Sequence, residues 1–333
     1  MKTRKKILAS LLLYLSAVAF TACSSEDGKE EAAVRQPIVL NGEVFSIDSE
    51  VGTVWSGGQA VGVYMLKSGT AEVVDNYANV KYLADNRGAT GYLVPADNEP
   101  MYLPADGGQV DIRAYYPYDP NAGKATSRAA DIYTTEVVID EKTKPDDFLY
   151  SQNSKGLSNS NTHTTVEIRS MLSLVKIDFE CSLDGGTGLR AHIKNIANRA
   201  LFNLIEGKFT NYSVETETPL PMTGTTTQNT NSVTFNMKAV ILPGQINKET
   251  VLTITVNDDK GNILKEYNPV SLQDVLELKE EQVEENTQYN VAAQLTEKDD
   301  IETQLTGTSA ICILNWTGGN DSPEGGVAHP DTK

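Results

Sequence analysis

From residue 36 onward, hydrophobic and polar positions alternate in short runs that are separated by turn-forming residues. Val61, Val63 and Met65 fall on one face of such a run, which is the two-residue period of a half-buried β-strand. Clusters of Gly, Asn, Asp and Pro interrupt the runs. Since no long stretch has a sustained helical period, the pattern predicts an all-β protein.

The strands that this pattern predicts fall into two series along the chain. Those of the first half are Pro37–Ser46, Ala60–Leu66, Val80–Leu83, Gly91–Val94, Val110–Tyr116, Ile132–Ile139 and Asp147–Ser151. Those of the second half are Thr164–Arg169, Leu172–Cys181, Leu189–Ile196, Ala200–Phe209, Ser232–Val240, Thr250–Val256, Ile263–Tyr267, Gln288–Leu295 and Ser309–Trp316. Thr210–Asn231 is predicted to be a long exposed loop, and Leu272–Asn286 either a short helix or an acidic connection into a strand.

The polar stretch Gln152–Thr162 contains only one apolar residue, Leu157, and therefore predicts a domain boundary. Many short strands at regular spacing favour two β-sandwich domains in tandem, over residues 36–160 and 161–316. A single large barrel is the alternative. The polar tail, residues 317–333, has nothing to bury and is predicted to be disordered.

The one long uncharged run lies at the N terminus. Four basic residues within the first six positions precede Ile7–Phe20, and Thr21, Ala22 and Cys23 follow at once. This is the layout of a secretory signal, so residues 1–22 are predicted to be removed. Small residues before Cys23 resemble a lipobox, although Phe20 stands where Leu is usual, and they predict acylation of Cys23. A cytosolic protein with an apolar first helix, or a secreted protein cut elsewhere, is the alternative.

The net negative charge of the chain limits the kinds of molecule that it is expected to bind. Removing residues 1–22 takes away four positive charges, so the formal charge of −17 becomes about −21. Nucleic acid and anionic head groups both require a positive surface, so neither is an expected partner. Residues 23–35 are small and charged, with a net negative charge, which indicates a flexible tether after the lipid.

Two cysteines remain after Cys23, and both lie in predicted strands. Export allows a disulfide between Cys181 and Cys312. Two buried thiols are the alternative. The chain has no CxxC pair and no Cys/His cluster with zinc spacing, so no metal site is predicted.

Catalytic patterns are missing from the sequence as well. His163, His192 and His329 are scattered, and neither an H-E-x-x-H nor a G-x-S-x-G motif occurs. Asp146-Asp147 is interpreted as a turn rather than a glycosidase pair, and Asp258–Asn262 as a hairpin turn rather than a calcium loop. We therefore expect no enzyme activity and no cofactor; a secreted hydrolase is the weakest of the hypotheses.

The aromatic residues have two interpretations. Tyr115, Tyr116 and Tyr118 are rings of a type that stacks on sugars, but alternation with buried positions favours packing. Trp55 and Trp316 lie beside glycines and strands, and we expect them to close the ends of the two sandwiches.

An ordered set of motifs resembles the fimbrillin (Mfa-like, type V pilus) lipoproteins of Bacteroidetes. In chain order the matching pieces are Cys23, Trp55–Met65 (similar to W-x-x-G-D-x-I-G-V-Y), Ala114–Tyr118 (A-Y-Y-P-Y), Asp146–Tyr150 (D-(L/F)-L-Y), Met171–Ile177 (H-x-L-S-K-V-x-I), Leu242–Gln245 and Trp316–Gly319. Gln59, Ser170 and Leu174 depart from the family pattern. The acidic residues after Cys23 also resemble a surface-export signal of such lipoproteins.

This resemblance implies two transthyretin-like β-sandwiches in a palmitate-bearing lipoprotein, held at the outer membrane and cell surface through Cys23. It also implies a fimbrial (pilus) role in cell adhesion, with other pilus subunits joined by strand exchange (donor-strand exchange) and with a host or bacterial surface ligand. A surface glycan-binding lipoprotein that does not polymerise is the alternative function.

Family members are cut after a basic residue by a trypsin-like protease, which removes the first strand. Here Arg35 is the only basic residue between Lys29 and Lys67. A cut at Arg35 would release the lipid and leave the first predicted strand, Pro37–Ser46, in place. That would suit an anchor or accessory subunit; an ordinary linker arginine is the alternative.

Overall fold

The computed structural model describes residues 35–45, 55–74, 76–85, 87–88, 90–123, 133–144, 147–182, 185–214, 219–278, 281–295 and 301–310. Within these ranges the chain is almost entirely β-structure, with a single four-residue helix. The predicted all-β class is therefore confirmed. No helix in the described ranges is long and apolar enough to cross a membrane.

The elements follow one another in a chain order that we number throughout. In the first half they are β1 (Val39–Phe45), β2 (Trp55–Ser56), β3 (Ala60–Lys67), β4 (Val80–Ala84), β5 (Arg87–Gly88), β6 (Thr90–Pro95), β7 (Val110–Tyr116), β8 (Thr134–Val138) and β9 (Leu149–Ser151). Next come β10 (His163–Ser170), β11 (Ser173–Cys181), β12 (Gly188–Lys194), β13 (Arg199–Asn203), β14 (Lys208–Ser213), β15 (Leu220–Pro221), β16 (Thr223–Gln228) and β17 (Val233–Ile241). The remainder are β18 (Gly244–Gln245), β19 (Val251–Asn257), β20 (Ile263–Glu266), β21 (Val270–Ser271), α1 (Leu272–Val275), β22 (Gln282–Val283), β23 (Thr287–Leu295) and β24 (Ile301–Ala310).

One sheet closes on itself. Its strands lie in the order β1-β10-β9-β7-β3-β4-β6, and β6 pairs with β1 to complete the ring. The side chains of Val61, Val63, Met65, Ile112 and Ala114 are buried in its interior. The two-residue alternation of Val61, Val63 and Met65 therefore identified the inward face of β3 correctly.

The second half of the chain is built from two larger sheets. One has the order β16-β17-β11-β23-β24, and the other has the order β15-β12-β19-β20, with β21 also paired to β19. Side chains of both sheets, among them Phe179, Ile193, Ile254 and Val291, belong to one buried cluster. A smaller sheet, β14-β13-β8, joins β8 of the first half to β13 of the second.

The closed sheet is buried on its outer side as well, along β3 and β7. Tyr64, Leu66 and Tyr115 point away from the interior of the closed sheet and belong to the core cluster of the second half. β10, which follows the predicted boundary at residue 160, pairs with β1 and β9 of the closed sheet. The division into two tandem sandwiches stays a prediction.

Two predictions about the second half need correction, and a third is confirmed. Thr210–Asn231 is not a single loop, because β14, β15 and β16 lie within it; threonines suit an exposed edge strand. Ala200–Phe209 is not one strand but part of a hairpin, β13 and β14, that turns at Gly207, where φ is +71°. Leu272–Asn286 contains both of its predicted options, the short helix α1 and then strand β22.

The last described strand begins earlier than expected. β24 spans Ile301–Ala310 and pairs antiparallel with β23, whereas the sequence predicted a strand over Ser309–Trp316. Residues 311–316 lie outside the described ranges. Polar residues dominate β24, so its hydrophobic pattern was too weak to reveal it.

Candidate strand-exchange site

The first strand of the closed sheet combines one parallel and one antiparallel pairing. β1 lies between β6, to which it runs antiparallel, and β10, to which it runs parallel. In this register Leu40 is opposite Leu93 on one side and Thr164 on the other. Removal of β1 would therefore leave the backbone groups of two strands unpaired along a common groove.

The inward side of β1 supplies part of the core. Ile38, Leu40 and Val44 are 3%, 1% and 4% exposed. Burial of three such side chains contributes about 5–9 kcal/mol before ordering costs. At Gly42, a Cβ atom would lie 3.2 Å from the Leu93 side chain, so the strand packs closely here.

The outward side of β1 is partly solvent-exposed, with Val39, Asn41 and Glu43 at alternate positions. On the neighbouring strand β6, Tyr92 is 56% exposed and Val94 is 40% exposed. β1 thus has the alternation of one buried and one exposed face. Any extended segment with the same alternation could occupy the groove in its place.

The segment before β1 is also held in place. The Arg35 guanidinium donates from Nε to the Leu103 carbonyl at 3.1 Å and from Nη2 to the Tyr102 carbonyl at 3.3 Å. The Leu103 N–H donates to the Gln36 carbonyl, and the Ile38 N–H donates to the Met101 carbonyl, both at 2.9 Å. The predicted processing position is therefore docked along residues 101–103, and a protease would need this stretch to open locally.

The other predicted site residues are far from this groove or outside the described ranges. Cys23 lies outside them, as do the signal segment 1–22 and the tail 317–333, and its acylation stays a prediction. Cys181 is buried in β11 at 1% exposure. Cys312 is not among the described residues, so the disulfide also stays a prediction.

Both carboxylate-rich segments form turns. The Asp147 carboxylate accepts the Lys144 N–H at 2.8 Å, closing a short turn before β9; Asp146 lies outside the described residues. Asp258 Oδ1 accepts the backbone N–H groups of Lys260 at 2.9 Å and Asn262 at 2.8 Å. This confirms the predicted hairpin turn between β19 and β20.

Two of the motif aromatics, Tyr115 and Tyr116, serve packing. Tyr115 is fully buried, and its hydroxyl donates to Asn79 Oδ1 at 2.8 Å. Tyr116 packs partly buried against the interior of the closed sheet and accepts a hydrogen bond from Gln59 Nε2 at 3.1 Å. The preference for packing over sugar stacking is confirmed for these two rings. The side chain of Trp55, like Trp316, lies outside what is described.

The fold brings together one group of side chains on β12 that no sequence motif singles out. Arg190, His192 and Lys194 lie at alternate positions of β12, and all three side chains point out of the sheet. The signal was available in the sequence as three basic-type residues at a spacing of two inside a predicted strand. Its importance depends on the surrounding surface, which the sequence alone does not show.

The chain is similar in sequence to a named protein. A Bacteroides uniformis protein named as a candidate fimbrium subunit, Fim1C, is 25% identical over 214 residues, which is 60% of this chain and 65% of that protein. The match therefore spans just under two thirds of that relative's length.

Two solved structures have the same fold at low identity. A candidate cell adhesion protein from Bacteroides uniformis has a TM-score of 0.60 at 18% identity, covering 82% of this chain and 97% of the other. One from Bacteroides ovatus has a TM-score of 0.57 at 16% identity, covering 83% and 97%. The sequence model described as fimbrillin-like matches residues 49–312. The chain therefore belongs to the fimbrillin-like family.

Proposed function

We propose that this chain is a cell-surface fimbrial subunit or accessory subunit, anchored by lipid at Cys23, that joins other subunits by exchange of β-strands. Its role is structural and adhesive rather than enzymatic. Membership of the fimbrillin-like family supports the fimbrial role. The observation that carries strand exchange is the position of β1 between β6 and β10, where one amphipathic segment completes a closed sheet.

The free energy gained when a strand occupies this position is large enough to hold two subunits together. A groove left by β1 would expose the contacts of Ile38, Leu40 and Val44 together with two rows of backbone groups. Groups of this kind are satisfied by an extended segment from another subunit. Since the apolar burial alone is worth about 5–9 kcal/mol, the exchanged strand would hold subunits together without a covalent bond.

Arg35 supports a more specific role within the fimbrium. A cut after Arg35 would separate the chain from the lipid but leave the three core residues of β1 in place. This suits an anchor or accessory subunit better than a repeating stalk subunit. Mass spectrometry of the N terminus in intact fibres tests it: we expect either acylated Cys23 in the lipid-anchored form or Gln36 in a processed form, both of which retain β1, and a first residue beyond Ser46 would contradict this role.

A reversible lock on β1 tests the exchange itself. Asn41 and Tyr92 are opposite each other in the antiparallel pair of β1 and β6, a separation that a disulfide can span. Asn41→Cys/Tyr92→Cys would hold β1 in place until reductant is added. If the subunit accepts a strand from a neighbour, oxidised protein fails to enter fibres and reduced protein enters. If it retains β1, both forms enter.

Asp178→Cys/Asn236→Cys is the matched control, because these residues are opposite each other in β11 and β17, away from the groove. This second lock should not change incorporation. Protein that never co-purifies with fibres, locked or unlocked, would contradict the proposal.

Lipid attachment is tested separately. Cys23→Ser should abolish labelling by a palmitate analogue and release the protein from the membrane fraction, whereas Cys181→Ser should change neither. Labelling that persists in Cys23→Ser would place the lipid elsewhere.

A further inference from the structure

The outward face of the sheet β15-β12-β19-β20 forms the floor of a trough of about 1110 Å³. Arg190, His192 and Lys194 of β12 lie on the floor beside Thr253 and Thr255 of β19. Val138, the last residue of β8, and residues 139–142 line the trough together with Pro219 and Pro221. The trough is remote in the chain from β1, and it lies in a part of the molecule that the proposed strand exchange does not use.

The floor of the trough is positive within a strongly acidic protein. The net formal charge of the chain is −17, yet alternate positions of β12 place Arg190 and Lys194 on either side of His192, with successive side chains about 6.6–6.8 Å apart. Neither Arg190 nor Lys194 forms an ion pair with a carboxylate in the described ranges. Burial, together with the positive charges of Lys194 and Arg190, lowers the pKa of His192.

Three carboxylates also line the trough, but within the described ranges none of them forms an ion pair with Arg190 or Lys194. Asp140 accepts the Lys142 N–H at 2.8 Å and the Thr143 hydroxyl at 3.2 Å, so it is engaged in its own turn. Glu141 and Glu266 are exposed. In the sheet, the position opposite Arg190 belongs to Thr255, and Glu266 is one strand further away.

Much of the backbone of the floor is already in use. β19 lies between β12 and β20, and β12 pairs with β19 along its whole length and with β15 at His192 and Ile193. An incoming peptide strand would therefore find no backbone edge on β19 and only part of one on β12. What the floor presents is two cations, an imidazole and two hydroxyls, and these groups recognise carboxylate or sulfate groups together with hydroxyls.

We propose that this trough binds an anionic saccharide, a glycan whose repeating units carry carboxylate or sulfate groups. Arg190 and Lys194 hold two successive anionic groups. The Thr253 hydroxyl donates to the His192 carbonyl and the Thr255 hydroxyl donates to Asn257 Oδ1, so both threonine oxygens accept hydrogen bonds from the sugar hydroxyls between the two cations. The site is independent of strand exchange, because it would serve a monomer and a fimbrial subunit equally.

Biolayer interferometry with the full mature chain, carrying Cys23→Ser to keep it soluble, tests the site. The probes are immobilised polygalacturonate for carboxylates, heparin for sulfates, dextran as the neutral glycan and polyglutamate as the acidic peptide. We expect binding to one or both anionic glycans and none to dextran. The stronger of the two identifies the anionic group. Absence of binding to both anionic glycans would overturn the proposal.

Arg190→Gln/Lys194→Gln should weaken glycan binding about tenfold or more, since two charged contacts are lost. Lys67→Gln/Lys155→Gln removes the same charge from exposed positions outside the trough, and it should change affinity less than twofold. Equal loss in both double variants would show a general charge effect and refute the site.

Arg190→Lys keeps the charge and should retain most of the binding. Because Arg190 and Lys194 are exposed, the melting temperatures should not change, so loss of binding cannot be assigned to misfolding. Binding of polyglutamate that matches the glycans and falls with Arg190→Gln/Lys194→Gln would assign the trough to an acidic peptide and overturn the saccharide proposal.

Discussion

The ring of Tyr115 lies directly over Gly62, so that a Cβ atom at Gly62 would be 2.0 Å from Tyr115 Cε1 and 2.7 Å from Asn79 Oδ1. β3 and β7 pair here, with Gly62 opposite Tyr115 in the register. The Tyr115 hydroxyl is bonded to Asn79 and accepts the Asp119 N–H at 3.0 Å. The ring cannot shift without loss of these bonds, so the absence of a side chain at position 62 is a structural requirement.

Gly62→Ala should therefore destabilise the protein by about 1–3 kcal/mol through overpacking. Gly188→Ala is the matched control, because a Cβ atom there would make an ordinary contact at 3.7 Å with Asn257, and its effect should be small or stabilising. Urea unfolding followed by intrinsic fluorescence measures both. Equal midpoints for the two variants would show that Tyr115 moves freely.

Asp111 should make stability depend on pH. This carboxylate is 3% exposed and accepts hydrogen bonds from the Ser68 hydroxyl at 2.8 Å, the Gly156 N–H at 2.9 Å and the Gly69 N–H at 3.1 Å. Burial raises the pKa of Asp111, but these bonds and the charge of Arg113 outweigh burial and lower it below the ordinary 3.8.

Because the folded pKa lies below the unfolded one, the stabilisation is complete above about pH 4 and is lost as pH falls through the folded pKa. Asp111→Asn should lower the free energy of unfolding at neutral pH and flatten its decline in acid. Urea titrations between about pH 2 and 7 measure this, with the exposed Asp97→Asn as control. An unchanged acid slope in Asp111→Asn would refute the role of Asp111.

Tyr150 connects the closed sheet to the turn between β13 and β14. Its hydroxyl donates to the Leu204 carbonyl at 3.0 Å in a buried site. Tyr150→Phe should cost about 1–3 kcal/mol, since the carbonyl is left without its partner. Tyr92→Phe removes a hydroxyl from a ring that is 56% exposed and should have almost no effect. Differential scanning calorimetry measures the stability of both variants, and an equal stability of the two would contradict the role of the Tyr150 hydroxyl.

The inward face of β1 should dominate its attachment to the closed sheet. Leu40→Ala removes a side chain that is 1% exposed and should destabilise by about 2–5 kcal/mol. Val39→Ala, on the partly exposed face, should cost much less. Hydrogen exchange of the β1 amides measures the local effect: protection should fall in Leu40→Ala and persist in Val39→Ala. Equal protection in both would mean that pairing with β6 and β10, rather than packing, holds the strand.

Local alternation in the sequence was sufficient to find most strands of the described chain. Val61, Val63 and Met65 point into the closed sheet as predicted, because the period of a strand is a property of the backbone and needs no partner. The same reasoning failed for β16, which has no apolar residue apart from glycine, and for β24, in which Ile301, Leu305 and Ala310 are the only apolar residues apart from glycine. Strands of this kind depend strongly on ladder hydrogen bonds and carry little hydrophobic signature.

Turn chemistry was equally readable. Asp258 and Asn262 close the β19–β20 hairpin through hydrogen bonds that span four residues, so the information lies within a short stretch. The basic row on β12 was visible as a pattern, but its meaning depended on Thr253 and Thr255, which lie about 60 residues later and reach it only through strand pairing.

The sequence by itself determined that this is an all-β chain whose first strand follows shortly after Arg35, and it predicted an export signal over residues 1–22. Only the tertiary structure decided that β1 inserts between β6 and β10, a strand about 120 residues further along. Pairing between distant strands depends on many packing and backbone contacts added together. A short stretch of sequence contains only one of the two partners in each of these contacts. The groove that β1 fills and the trough above β12 therefore form only when the whole chain has folded.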